Sequence, residues 1–210
     1  MTADDASPQP IGVVWYMNLL EQPVRPAATL AARFGQVGLE AVADLARAMG
    51  GDDPGLVQRR LDAGRRCYAA WTQGSLAAYG WVSFTEEEVG ELGLRLRLLP
   101  GEAYIWDCAT LPDYRRRGLY SALLSHIILT LRSEGLRGLW IGADATNAPS
   151  LAGIAQAGFT TVADLVAAPA QPGERRRRAW LEARPGVSQE RLAEARRAYL
   201  DDRADVWLFG

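Results

Sequence analysis

The stretch from Tyr104 to Phe159 reads as strand, loop, helix, strand and helix in succession, and it constrains the fold of the chain more than any other segment. Tyr104 to Thr110 is a short apolar run stopped by Pro112, the pattern of a buried strand bounded by turn residues. Leu119, Leu123, Leu124, Ile127, Ile128 and Leu131 then recur at helical spacing and give one broad apolar face, with Gly135 as the cap beyond its end. Leu139 to Ala145 is a second apolar strand. Asn147 as cap and Pro149 in the first turn open a short helix after it.

The joint between the first strand and its helix carries the chemistry. Arg115, Arg116 and Arg117 precede Gly118 at a helix N-terminus, where unpaired N–H groups and the positive end of the helix dipole favour an anion. Gly118 has no Cβ, so the backbone can approach a ligand closely, and a pyrophosphate suits the place. A solvated basic turn with a glycine for flexibility is the alternative reading.

Composition narrows the classes of function. A chain of 210 residues holds one well-packed domain, and 49% apolar with 23% charged residues is a globular balance. The formal net charge of -2 supplies no overall positive field for nucleic acid or an anionic membrane. All 23 basic residues are arginine, which excludes a Walker P-loop and a pyridoxal Schiff base. A single histidine, His126, argues against a histidine-based metal site or a hydrolase triad, and it reads as a surface residue away from its helix's apolar stripe. Cys67 and Cys108 read as buried reduced thiols. The N-terminus is acidic at Asp4 and Asp5, and the apolar run from Ile11 to Leu20 is short, so neither a secretion signal nor a membrane span is expected and the location is expected to be cytoplasmic.

In chain order, residues 1–10 read as a mobile tail, 11–183 as one domain, and 184–210 as a C-terminal helix with an apolar tail that docks on the same domain or on a partner subunit. Val13 to Leu19 is a strand. Helical patterns run from Ala27 to Phe34, from Leu39 to Met49 and from Pro54 towards Gly64. Cys67 to Trp71 and Leu76 to Phe84 form a hairpin, Leu92 to Leu98 is a half-exposed strand, and Thr161 to Val166 pairs with Arg178 to Ala183. Glu86, Glu87 and Glu88 read as a charged turn, or as an attractor for a cationic acceptor. The tryptophans at 15, 71, 81, 106, 140 and 180 either fill the core or wall an acceptor cleft.

On three linked motifs the chain resembles the GNAT superfamily of acyl-CoA-dependent N-acyltransferases. The family's loop is Gln or Arg, two residues, Gly, one residue, then Gly or Ala; here stand Arg115 to Arg117, Gly118, Leu119 and Tyr120. T-L-P-D-Y, residues 110–114, fits the family's lead into that loop, and Asn147, Ser150, Gly158 and Phe159 match its downstream pattern. The resemblance covers about residues 104–160 most closely and extends over 11–183.

The resemblance implies an α/β fold: a mixed, largely antiparallel sheet of about seven strands flanked by helices, with an extra C-terminal helix. It implies that the sheet splays between the strands around Asp107 and Ala143 to admit acetyl-CoA. Backbone N–H groups at Ala109, Thr110 and Leu111 would hold the acyl carbonyl and pantetheine arm. Those of Arg115, Arg116, Arg117, Gly118, Leu119, Tyr120 and Ser121 would hold the pyrophosphate, and Asn147 and Ser150 would line the arm. A primary amine of a small molecule or peptide then attacks the thioester directly, with no metal and no covalent enzyme intermediate; no nucleic acid or membrane partner is expected, and a homodimer is possible.

Three departures shape the catalytic expectations. Tyr120 replaces a small residue, Gly142 stands where some members carry a glutamate, and Ile154 stands where many carry a tyrosine that protonates the leaving thiolate. Asp107 or Asp144, partly desolvated and so raised in pKa, is expected to accept the amine's proton. Ser150, sharing a helix face with Asn147 and Ile154, is expected to replace the missing tyrosine. A CoA-binding sensor or scaffold without turnover, and transfer of a longer acyl or aminoacyl group, are the competing readings.

Overall fold

The computed structural model describes residues 9–21, 31–51, 53–89, 94–169, 176–200 and 205–209. Its strands in chain order are β1 (Pro10–Asn18), β2 (Arg33–Gln36), β3 (Arg66–Thr72), β4 (Ser75–Ser83), β5 (Glu86–Val89), β6 (Leu94–Arg97), β7 (Glu102–Thr110), β8 (Gly138–Asp144), β9 (Thr160–Ala167), β10 (Arg176–Ala183) and β11 (Asp205–Phe209). The helices are α1 (Val42–Ala48), α2 (Pro54–Asp62), α3 (Leu119–Ser133), α4 (Ala148–Ala157) and α5 (Gln189–Leu200). Nine strands form one sheet in the order β11-β10-β9-β1-β8-β7-β4-β3-β2, and β5 pairs with β6 in a separate two-stranded sheet. Only β7 and β8 run parallel among the described pairings. This is the mixed α/β fold expected, with two edge strands, β2 and β11, beyond the seven or so foreseen.

The helix with the broad apolar stripe covers the centre of the sheet. Leu119, Leu123, Leu124, Ile127, Ile128 and Leu131 of α3 are all buried and join Val82, Ile105, Leu139, Ile141 and Phe159 in one core. On the opposite face α5 buries Leu192, Ala195, Ala198 and Tyr199 against Val14, Trp140, Val162 and Leu165. Among the described residues no helix is long and apolar enough to cross a membrane.

Several expected elements differ. Of the helix expected over Ala27 to Phe34, residues 27–30 lie outside the described residues, and Phe34 sits in β2 opposite Ala70. Its ring stacks on His126 at 5.8 Å, so the histidine is half-buried rather than a free surface group. The described part of the strand expected over Leu92 to Leu98, β6, pairs with β5 and not with the main sheet. The glutamate run is therefore no turn: Glu86 to Val89 form β5, and Glu87 points inward. Arg65 donates to it twice, at 2.5 and 2.8 Å, and Ser83 Oγ donates as well. Three donors replace the water that a buried carboxylate gives up. The apolar C-terminus supplies β11, which pairs with β10 of its own chain from Arg176↔Phe209 to Trp180↔Asp205. Residues 1–8 and 170–175, which include most of the expected tail, lie outside the described residues.

Candidate active site

The central parallel pair comes apart halfway along. β7 and β8 are in register from Glu102↔Gly138 to Ile105↔Ile141, and there pairing stops, although both strands continue. The cause lies on the other edge of β7. Its register with β4 shifts, so that Trp81 faces Trp106 while Tyr79 faces Ala109, leaving Asp107 and Cys108 against Gly80 alone. Asp107 adopts φ 40°, in the left-handed region. A Cβ at Gly80 would lie 2.8 Å from Cys108 Sγ, so only glycine leaves room for the extra residue. A bulge of this kind bends its strand and increases the local twist, and it turns the end of β7 away from β8.

The parting separates two clefts. One, of about 570 Å³, lies between Cys108 to Thr110 of β7, the loop into α3, and Asn147, Ser150 and Gly153 of α4. Gly118 is the N-cap of α3 at φ 73°, and a Cβ there would meet nothing within 4 Å. The first intrahelical bond runs from Ala122 N–H to Gly118 O, which leaves the N–H groups of Leu119, Tyr120 and Ser121 ahead of the helical ladder. Arg115 and Arg116 line the same cleft. Thr110 Oγ1 is buried there without a hydrogen-bond partner among the described residues. An open glycine cradle at a helix N-terminus, two guanidinium groups and an orphan hydroxyl suit a long, phosphorylated thioester.

Not every residue expected in that cleft lines it. Leu111 N–H already donates to Ala77 O at 2.9 Å, so it is spent on the sheet. Arg117 turns back over the ring of Tyr114, 5.7 Å from its centroid. Arg115 lines the cleft but also ties the loop to the strand, its Nε donating to Thr110 O at 3.1 Å. Asn147 caps α4 by accepting from Ser150 N–H at 3.2 Å. Ile154 does not share the cleft face with Ser150: it is fully buried in the main core. At about 100° per residue it lies a quarter-turn round from Gly153, which does line the cleft. The space above Gly153 is taken instead by the ring of Tyr120, whose hydroxyl burial holds well above the usual phenol pKa.

The second cleft, of about 710 Å³, lies on the other side of the parting. Asp107 and Asp144 both line it, so the structure brings these two together and places Ser150 apart from them. Asp107 accepts from Arg60 at 2.5 Å and lies 3.5 Å from Tyr79 Oη. Asp144 contradicts the expectation of a raised pKa. It is open to solvent and accepts from Thr146 N–H at 2.7 Å and from Thr146 Oγ1 at 2.5 Å, and these bonds hold its carboxyl below the usual range. Trp106 is the one tryptophan of the six that walls this cleft, with Arg60 over its ring at 4.5 Å and Arg65 at 5.7 Å. Trp81 and Trp140 are fully buried core. Tyr104, Tyr199 and Arg60 also line the cleft, and no local motif marks them.

The sheet thus splits between its parallel strands, with a basic, glycine-capped helix N-terminus on one side and a polar cleft on the other. The chain belongs to the Acetyltransferase (GNAT) family, whose model matches residues 37–159. Members of the family use acetyl-CoA as acyl donor. Among curated proteins the chain is 41% identical over 58 residues to the [ribosomal protein bS18]-alanine N-acetyltransferase of Escherichia coli (strain K12), a match covering 28% of this chain and 39% of that protein. The chain thus spans well under half the length of the curated relatives it matches. Among solved structures it is similar to an acetyltransferase from the GNAT family of Colwellia psychrerythraea, at TM-score 0.52 and 17% identity over 74% of this chain and 54% of that one. It is similar too to an N-acetyltransferase of Staphylococcus aureus Mu50, at TM-score 0.51 and 14% identity over 68% and 91% of the two chains. Both structural likenesses concern the fold.

Proposed function

We propose that this chain transfers an acetyl group from acetyl-CoA to the primary amine of a small molecule by direct attack. The observation that carries the reading is the pair of clefts on the two sides of the β7–β8 parting, one fitted to a phosphorylated thioester and the other to an amine. In this reading Gly118 to Ser121, with Arg115 and Arg116, hold the pyrophosphate, while Thr110, Asn147 and Ser150 line the arm. The amine enters beside Asp107. Its nitrogen attacks the thioester carbon, the C–S bond breaks, the amine's proton passes to Asp107, and the thiolate is protonated from the Ser150 and Tyr120 side. An alkylamine of pKa near 10.4 costs about 4 to 5 kcal/mol to deprotonate at pH 7, so Asp107→Asn lowers kcat on alkylamines and spares weakly basic aromatic amines.

A second reading is favoured by the curated relatives, whose name assigns them to the alanine of a ribosomal protein: the acceptor is then the N-terminal amine of a polypeptide. Thiol release from acetyl-CoA across alkylamines, aromatic amines and alanine-initiated peptides tests both. Release with small amines supports the first reading, and release with the peptides alone moves the acceptor to a polypeptide. An acetyl-CoA left intact by every amine, though bound, would leave only a CoA-binding protein.

A further inference from the structure

Each cleft contains one buried hydroxyl without a hydrogen-bond partner among the described residues: Thr110 Oγ1 on the acyl-donor side and Tyr199 Oη on the other. Tyr199 is 2% exposed and comes from α5, far along the chain from the rest of the site. Its ring is held edge-on by two others, Tyr104 at 6.2 Å and Trp140 at 6.0 Å, so the hydroxyl has a fixed direction. It is aimed at Gly142. A Cβ on Gly142 would lie 3.7 Å from Tyr199 Oη, 3.8 Å from Tyr104 Oη and 3.5 Å from Val13 O, all ordinary contacts. The missing side chain thus leaves a recess in the cleft floor, with two phenols and one carbonyl oxygen around it. Native proteins rarely leave a buried donor unpaired, and one that opens on a cleft marks a place for a ligand atom.

The recess selects the ligand's charge. The cleft's guanidinium groups are engaged elsewhere: Arg60 with Asp107, Arg65 with Glu87 and Arg59 with Asp53. An anionic group seated against Gly142 would be desolvated with no cation beside it. Burial, with Tyr104 beside it, keeps Tyr199 a neutral phenol, and so a donor.

Resting on the reading of this cleft as the amine site, we infer that the acceptor is a primary amine that also carries an uncharged carbonyl oxygen, as in a carboxamide, and that Tyr199 donates a hydrogen bond to that oxygen in the recess left by Gly142. An acceptor that brings such an oxygen gains a hydrogen bond that the free protein does not make, so it is favoured over an analogue that lacks it.

The test uses acceptors in matched triplets built on benzylamine and on propylamine: unsubstituted, bearing a terminal carboxamide, and bearing a carboxylate. Thiol release by the wild type is expected to favour the carboxamide of each triplet by about tenfold in kcat/KM. Tyr199→Phe should erase that preference, leaving the unsubstituted amines and the KM for acetyl-CoA unchanged. Gly142→Ala, which meets only ordinary contacts, should fold normally and lose the carboxamide preference by filling the recess. Because Tyr199→Phe removes a hydroxyl that bonds nothing in the free protein, its melting temperature should equal or exceed that of the wild type. A preference for the unsubstituted or carboxylate amines, a uniform loss across each triplet in Tyr199→Phe, or a lowered melting temperature overturns the inference while leaving the amine reading in place. No thiol release with any amine overturns the amine reading, and the inference with it.

Discussion

The ring of Tyr120 occupies the place that a side chain on Gly153 would need: a Cβ there would stand 2.3 Å from Tyr120 Cδ1. Alanine is a better helix former than glycine by about 1 kcal/mol, so Gly153→Ala would ordinarily stabilise α4. Here the methyl must displace the ring. Gly153→Ala is expected to lower stability in the wild type and to raise it by about 1 kcal/mol when Tyr120 is alanine. Denaturant unfolding of the four proteins measures the reversal.

Gly118→Val should lose acetyl-CoA binding. The new side chain would stand in open space on the cleft, and a β-branched residue at φ 73° carries a backbone cost of about 1 to 2 kcal/mol. The domain should remain folded, since nothing near the position is displaced. Calorimetry with acetyl-CoA gives the outcome, and equal affinity in both proteins would refute the placement of the pyrophosphate.

Arg65 and Glu87 form an ion pair in which the carboxylate side chain is only 4% exposed. Removing the guanidinium alone strands the charge, and Arg65→Ala is expected to cost about 3 kcal/mol. Replacing both, as Arg65→Met with Glu87→Leu, should recover most of that loss. Urea midpoints of the single and double variants decide it, and a double variant no more stable than the single would count against the pairing as its source.

His126 gives stability a pH dependence of known sign. Burial pushes its pKa below the ordinary 6.5, so between 6.5 and that lowered value the unfolded chain binds a proton that the folded protein resists. The contribution is complete above pH 6.5 and is lost progressively as the pH falls through the window below it. The difference in unfolding free energy between wild type and His126→Gln should therefore shrink or change sign on acidification from pH 7.5 to 5.5. A difference independent of pH would show that the imidazole is not desolvated.

What could be read from the sequence was local. The stripe of α3, the cap at Asn147 and the glycine at 118 are all set by neighbours within a turn, and each is found where the spacing puts it. What escaped depends on partners distant in the chain. Glu86, Glu87 and Glu88 look like a charged turn until Arg65, distant in the chain, pairs with Glu87. The sequence marks a C-terminal helix, but that Tyr199 is buried beside Gly142 follows only from the way β8 sits against β1 and α5. Counting from Asn147 puts Ile154 on the cleft face, but Asn147 is a cap outside the helix proper. The true cleft face is centred on Gly153, a quarter-turn away.

The parting of β7 from β8 also determines how the sheet bears load. On one side stand β11, β10, β9, β1 and β8, on the other β7, β4, β3 and β2, and four residue pairs from Glu102↔Gly138 to Ile105↔Ile141 form the seam. A force that opens the clefts meets these rungs one at a time, from the Ile105 end, as a zipper meets its teeth, instead of all together as in shear. These four pairs are the whole of the described backbone pairing between the two halves of the sheet, and α3 spans the seam, packing on Val82 and Ile105 on one side and on Leu139 and Ile141 on the other.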